Sequence, residues 1–288
     1  MNPMRRRDLL IGSAAAAAAT ALAQNAGQPV KRKGRIKQSA MLVNFDAKLS
    51  FDQMCRITAD AGCVGMDLIP PQDWPTLKKY GLIPTTAPRI AGISREDGII
   101  QDSERARMEP LLRETIDTCA AGGARNMIVI GGMKHGKTYE QGADIVVDIL
   151  NKVKSHAEDK NVNMVLEIMN SRIDRPDQVF DHMDWGINVI KRINSPRVRI
   201  LFDIYHVQVM DGDLAHHIRD DIQYIGHFHT GGSPGRHEIG DNQEINYHFL
   251  AQVIADTGYD GYVAHEYELS PGHDSAVELN KAVALMDV

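Results

Sequence analysis

Short apolar runs alternate with amphipathic stretches along most of the chain. Eight runs have the length of β-strands and end at turn residues, at 38–44, 65–69, 83–87, 127–131, 163–167, 198–203, 224–229 and 262–266. Between them the apolar residues recur at helical spacing, most clearly at 51–61, 108–121, 144–158, 178–193, 247–256 and 275–286. Gly62, Gly122 and Gly258 stand where three of these helices are expected to end.

Alternating strands and helices predict an α/β fold with a parallel sheet and right-handed crossovers. Eight such units in about 250 residues fit a single (β/α)8 TIM barrel. The alternative is an open, doubly wound sheet, which commonly carries a glycine-rich phosphate loop after its first strand. Val43-Asn44-Phe45-Asp46 occupies that place instead. We therefore predict a closed barrel over residues 36–288.

The first 23 residues have the pattern of a bacterial export signal. Arg5-Arg6-Arg7-Asp8-Leu9-Leu10 precedes an alanine-rich stretch and then Ala21-Leu22-Ala23, a small-x-small cleavage site. The paired arginines are typical of the twin-arginine route. Residues 24–35 then read as a polar, basic linker. The predicted location is periplasmic or otherwise exported, with no stable membrane association after cleavage. The alternative is a membrane anchor formed by the uncleaved segment, although its apolar run is short for a spanning helix.

Composition narrows the class of protein. The chain has 288 residues, of which 43% are hydrophobic and 24% charged, as in soluble globular proteins. Its formal net charge of −6 argues against a nucleic-acid partner. The chain has three cysteines, Cys55, Cys63 and Cys119, so at least one stays unpaired within the chain. We predict that all three are small, buried core residues. The sequence leaves a homo-oligomer open.

The last four predicted strands end in residues that can bind a metal. In a TIM barrel the carboxyl ends of all strands face one common mouth, where active sites lie. Strand five ends in Glu167, strand six in Asp203, strand seven in His227-Phe228-His229, and strand eight in His265-Glu266. We therefore expect these side chains to meet at one rim.

Three carboxylates and an imidazole at one point would repel one another and would lose hydration, and a divalent cation removes that penalty. Oxygen-rich ligation with one nitrogen favours Mn²⁺ or Mg²⁺, with Co²⁺ or Zn²⁺ as alternatives. His227 and His229 share a strand face, and His229 is predicted as the ligand because it lies nearer the mouth. His227 then contacts substrate or fills the barrel. His265 is expected to point toward the helices and to be structural.

The most distinctive C-terminal stretches are Phe202-Asp203-Ile204-Tyr205-His206 with its continuation to residue 214, and the stretches 166–170, 225–227, 234–238, 244–247, 261–263 and 266–267. Together they resemble the hydroxypyruvate isomerase family of the xylose-isomerase-like barrels. The resemblance implies a metal held by Glu167, Asp203, His229 and Glu266, with both glutamates also moving protons. It further implies that His206 and Arg236 hold substrate oxygens. The family's usual Gln on strand seven is His229 here, as in the sugar epimerases.

Such a site predicts isomerisation of a small sugar or keto-acid substrate through an enediolate. A cation chelated by adjacent carbonyl and hydroxyl oxygens acidifies the neighbouring C–H, and Glu167 and Glu266 would share the proton transfers. Arg236 would anchor a substrate carboxylate or hydroxyl. His206 is alternatively a hydrogen-bond partner of Asp203.

Three other functions fit the same sequence less well. A ketose 3-epimerase, or a keto-sugar or keto-inositol dehydratase or lyase, would use the same site. An exported, non-catalytic sugar-binding barrel would lack a ligand or a proton-transfer group, and none is missing. A phosphodiesterase of the endonuclease type would need more metal ligands and a basic groove, which the net charge of −6 opposes.

Overall fold

A computed structural model describes residues 32–288 as a closed barrel of eight parallel strands. The strands are β1 (Lys37–Ala40), β2 (Gly65–Asp67), β3 (Ile83–Ala87), β4 (Asn126–Ile130), β5 (Asn163–Glu167), β6 (Val198–Asp203), β7 (Ile225–Thr230) and β8 (Tyr262–His265). They pair in chain order, and β1 closes the barrel against β8. The predicted TIM barrel is confirmed.

Nine α-helices lie between and after the strands in the described residues. They are α1 (Phe51–Asp60), α2 (Trp74–Lys79), α3 (Arg105–Gly122), α4 (Tyr139–Lys160), α5 (Met183–Ile193), α6 (Ile204–Met210), α7 (Leu214–Asp221), α8 (Tyr247–Asp256) and α9 (Ser275–Leu285). Within residues 32–288 no helix is both long and apolar enough to span a bilayer.

Local side-chain contacts explain where the elements depart from the predicted bounds. β1 ends at Ala40 rather than residue 44, because the Asn44 side chain accepts a hydrogen bond from the Met41 amide and folds the chain into a 3-10 turn. Helix α4 starts five residues earlier than predicted, since Thr138 and Gln141 form a capping box. Gly123, not Gly122, takes the left-handed conformation after α3, so the prediction for Gly122 was wrong.

Two apolar layers position the carboxyl ends of the strands. The larger lies between barrel and helices and includes Cys55, Cys63 and Cys119, which are buried as predicted. The smaller consists of Ile128, Ile130, Val165, Met169 and Leu201. Since strand residues two apart share a face, Val165 and Leu201 lie one layer below the functional residues that end β5 and β6.

The N-terminal segment is only partly described. The predicted signal at 1–23 and most of the linker at 24–35 lie outside the described residues, and these boundaries stay predictions. The end of the linker contacts the barrel, because the Arg32 guanidinium donates to the Ala61 carbonyl at 3.0 Å and the Lys33 amide to Asp287 at 2.7 Å.

Candidate metal centre

The four predicted ligands converge at the carboxyl end of the barrel. Glu167, Asp203, His229 and Glu266 each offer a ligand atom within 4.8 Å of the other three, and all four side chains are buried. Asp203 and His229 are direct neighbours in the β6–β7 ladder. Glu266 follows β8, and its amide bonds to the Thr230 carbonyl at 2.9 Å, which aligns it with the end of β7.

The charged groups are in close contact. His229 Nδ1 lies 2.5 Å from Glu266 Oε2 and 3.4 Å from Glu167 Oε1. Arg236 Nη2 lies 2.6 Å from Asp203 Oδ2 and 2.9 Å from Glu266 Oε2. Three carboxylates thus face one imidazole and one guanidinium. The charge balance of the cluster would therefore accommodate an added cation.

The neighbours move the pKa values of the two glutamates in opposite directions. Burial raises the pKa of Glu167, and the negative charges of Glu266 and Asp203 raise it further. Burial also acts to raise the pKa of Glu266, but Arg236 and His229 outweigh it and hold that pKa below its usual range. Burial acts to lower the pKa of His229, but Glu266 and the other neighbouring acids outweigh it and raise that pKa.

Among the four converging side chains, two buried atoms lack a hydrogen-bond partner of good geometry, as does Nε of the neighbouring Arg236. Within the described residues these two atoms are His229 Nδ1 and Glu266 Oε2, which face each other. Buried polar atoms are normally satisfied, so an unpartnered nitrogen aimed at an unpartnered carboxylate oxygen suits a cation that both would bind. The donor set of carboxylate oxygens and one imidazole nitrogen fits a divalent ion. The residues present can therefore hold such an ion.

Asp67, at the end of β2, supports His229 from inside the barrel. Its Oδ2 lies 3.2 Å from His229 Nε2 and 2.6 Å from His227 Nε2, while Ser39 and Thr85 hydroxyls donate to Oδ1. With its Nε2 turned to a carboxylate, the His229 ring presents Nδ1 to the cluster. Sequence reasoning missed Asp67, because the predicted strand 65–69 placed this acid in the middle of the strand and the structure ends the strand at Asp67.

His227 lies one layer deeper than the four converging side chains. It is fully buried, and besides Asp67 its ring nitrogens approach Thr86 at 3.3 Å and Asn126 at 3.4 Å. This is the barrel-filling position that the sequence left open, and a substrate contact by His227 stays a prediction. His265 faces outward as expected, since its Nε2 lies 3.0 Å from Gln38 Oε1.

His206 reaches the same centre from the start of α6. Its amide donates to Asp203 Oδ1 at 3.0 Å, and its Nε2 lies 3.7 Å from Asp203 Oδ2. Asn170 Oδ1 accepts two backbone amides, so its Nδ2 must be the atom that faces His206 Nδ1 at 2.7 Å. The His206 proton therefore sits on Nε2, toward the site. Burial lowers the pKa of His206 to about 4, which keeps the ring neutral.

The loop after β7 carries Arg236 over the cluster. The guanidinium lies 5.5 Å from the centre of the Tyr205 ring, a cation–π contact. The Tyr247 hydroxyl donates to the Gly231 carbonyl at 2.7 Å and fixes the base of the loop. A Cβ on Gly231 would meet Arg236 Cγ at 2.9 Å, so glycine is required for the arginine stem to pass.

A cavity of about 220 Å³ opens beside the centre. Glu167 and Asp67 line its inner end, and residues that follow β1, β2 and β3 form much of its wall. Among the four converging side chains, Glu167 lines this cavity, so a small molecule in it can reach that carboxylate.

Comparison with known proteins agrees with this architecture. Residues 56–286 match the xylose isomerase-like TIM barrel family. The chain belongs to this family. The crystal structure of an AP endonuclease, family 2, from Brucella melitensis has a TM-score of 0.75 to this chain at 22% identity, covering 85% of this chain and 96% of that one. At that identity the likeness shows the fold alone.

Several curated relatives of this chain are named as isomerases. The 2-oxo-tetronate isomerase of Cupriavidus necator is 35% identical over 113 residues, which are 39% of this chain and 43% of the relative. The hydroxypyruvate isomerase of Escherichia coli is 28% identical over 149 residues, 52% of this chain and 57% of the relative. The matched segments thus span about half the length of these relatives. The predicted resemblance to the hydroxypyruvate isomerase family is confirmed.

Proposed function

We propose that this protein is a metal-dependent isomerase of small hydroxy-keto acids or related sugars, similar in reaction to the hydroxypyruvate and 2-oxo-tetronate isomerases. The observation that carries the proposal is the convergence of Glu167, Asp203, His229 and Glu266 within 4.8 Å at the barrel mouth. The two named relatives support the reaction class.

The four side chains would hold one divalent ion, which supplies Lewis-acid polarisation of the substrate carbonyl when bound. Glu167 and Glu266 come from β5 and the end of β8, three strands apart around the barrel. In the proposed mechanism one carboxylate removes the proton from the carbon that bears the hydroxyl. The other carboxylate gives a proton to the former carbonyl carbon, and the hydroxyl proton passes to the former carbonyl oxygen, which exchanges the positions of carbonyl and alcohol with no net redox change. Proton exchange with solvent would then return both carboxylates to their starting states.

His206 and Arg236 would orient the substrate. The neutral His206 ring offers an Nε2–H toward the centre and can donate to a substrate oxygen. Arg236 already contacts Asp203 and Glu266 through Nη2, so its role would be to hold both carboxylates in place and to donate to a substrate hydroxyl.

A ketose 3-epimerase, dehydratase or lyase is a second candidate, and the observation that favours it is His229. An imidazole in this place, rather than the amide usual in the isomerase branch, is the epimerase-like feature of the sequence. Product analysis after incubation with hydroxypyruvate and with several ketoses distinguishes the candidates. Reaction with hydroxypyruvate supports the isomerase, and a changed configuration at the third carbon of a ketose supports the epimerase.

The proton-transfer role is tested with Glu266→Gln, which keeps an oxygen ligand but removes the base. We expect the variant to keep its metal and to lose most solvent-deuterium exchange into hydroxypyruvate. Glu268→Gln, an exposed neighbour two residues on, is the matched control and should exchange like wild type. Full exchange by Glu266→Gln with normal metal content would remove Glu266 from the mechanism.

A further inference from the structure

Two arginines that line the cavity beside the candidate metal centre have no part in the proposed proton transfers. Arg89 and Arg95 lie in the segment that follows β3, and both border the cavity whose inner end is formed by Glu167. Much of the remaining lining is apolar and includes Leu42, Ile128 and other aliphatic side chains. A substrate that reaches Glu167 through this cavity passes both guanidinium groups.

Both guanidinium groups are available for an anion. Arg89 Nε donates to the Ile93 carbonyl at 3.2 Å, which holds its stem in a turn and leaves the terminal nitrogens free. Arg95 is half-buried. Among residues 32–288, neither arginine forms an ion pair with a carboxylate, whereas Arg236 is paired with both Asp203 and Glu266.

Arg89 and Arg95 are better placed than Arg236 to bind a substrate carboxylate. Arg236 is neutralised by two acidic groups, so an incoming carboxylate gains little from it. Arg89 and Arg95 form no ion pair within residues 32–288, and their planar forked donors are suited to a carboxylate. Arg89 is exposed, whereas Arg95 is half-buried beside the cavity, where a charge is screened less than in open solvent. The cavity of about 220 Å³ lies below the range of about 300–1,000 Å³ found for larger ligands, which suits a short chain.

We propose that Arg89 and Arg95 bind the substrate carboxylate, so that the site selects short hydroxy-keto acids over neutral ketoses. This inference rests on the proposed function, because the hydroxy-ketone end of the substrate must lie at Glu167 and its neighbours. The carboxylate would then point away from the metal centre, into the cavity between the two arginines.

Hydroxypyruvate and dihydroxyacetone form a matched pair of probes, since they share the hydroxy-ketone and differ in carboxylate against hydroxymethyl. We expect Arg89→Gln and Arg95→Gln each to raise KM for hydroxypyruvate about tenfold, and the double variant about 100-fold, as for lost charge-assisted hydrogen bonds. KM for dihydroxyacetone and the metal content should stay within about twofold of wild type. Arg105→Gln, on the outer surface of α3, removes the same charge and should change neither value.

Calorimetric binding of both probes to metal-loaded protein separates this inference from the proposed function. If wild type binds hydroxypyruvate more tightly than dihydroxyacetone but turns over neither, the proposed reaction is wrong and the proposed carboxylate site is supported. Loss of that preference in the double variant supports the inference. Equal binding of the two probes by wild type, or an unchanged preference in the double variant, overturns it.

Discussion

Asp67 Oδ2 lies 3.2 Å from His229 Nε2, so a fully buried carboxylate holds the imidazole of a candidate metal ligand from inside the barrel. The Asp67 carboxylate also contacts the His227 ring and accepts a hydrogen bond from the Ser39 hydroxyl. A histidine ligand held in this way has a fixed ring orientation and a more basic free nitrogen. The candidate metal centre therefore extends one layer deeper than its four converging side chains.

We predict that Asp67→Asn weakens divalent metal binding by about 10- to 100-fold, the usual effect of losing such a partner. The amide has the same shape, so the barrel should stay folded, as circular dichroism would verify. Titration of chelator-treated protein with Mn²⁺ measures the effect, and Asp60→Asn on the exposed face of α1 is the control. An affinity equal to wild type would show that Asp67 does not position His229.

We predict that Gly231→Ala lowers kcat/KM by about 10- to 100-fold while metal content stays normal. The new methyl group would lie 2.9 Å from Arg236 Cγ, which forces the arginine away from Asp203 and Glu266. Displacements of about 1 Å near a reacting centre commonly have effects of this size.

Gly240→Ala is the matched control for that loop, because a Cβ there meets no atom within 4 Å. It should behave as wild type in the same steady-state assay. Equal activity of the two variants would contradict the importance of the Arg236 position.

The sequence predicted the barrel and the four converging residues because that information is local. Each strand carries its own apolar run and its own terminal group, and Glu167, Asp203, His229 and Glu266 needed only the rule that parallel strands end at one mouth. Strand eight was predicted to residue 266, and the structure ends it at His265, yet the Glu266 amide still bonds to the end of β7.

Asp67 and the two cavity arginines could not be predicted in the same way. The register between β2 and β3 shifts between Met66 and Asp67, so simple alternation does not give the direction of the Asp67 side chain. The strand was also predicted to extend to residue 69, so Asp67 stood in its middle rather than at its end. Arg89 and Arg95 lie in an irregular segment whose path depends on contacts with other loops.

The proposed export can be tested independently of the chemistry. We expect Arg6→Lys and Arg7→Lys together to retain the protein in the cytoplasm, because the twin-arginine route requires the arginine pair. Cell fractionation of the bacterial host and N-terminal sequencing of the mature protein measure this outcome. A mature chain that begins near residue 24 is expected for wild type, and an unchanged location of the double variant would contradict this route.

The most direct test of the metal centre is the uptake of divalent ion by chelator-treated full-length protein. We predict that wild type binds one Mn²⁺ per chain, and that about 100 Kd of the ion raises its free energy of unfolding by about 2.7 kcal/mol. Asp203→Asn, which keeps the hydrogen-bonding shape at the start of α6, should fold but lose both effects. If wild type takes up no Mn²⁺, Mg²⁺, Co²⁺ or Zn²⁺, or if Asp203→Asn binds as tightly, the four converging side chains do not form a metal site.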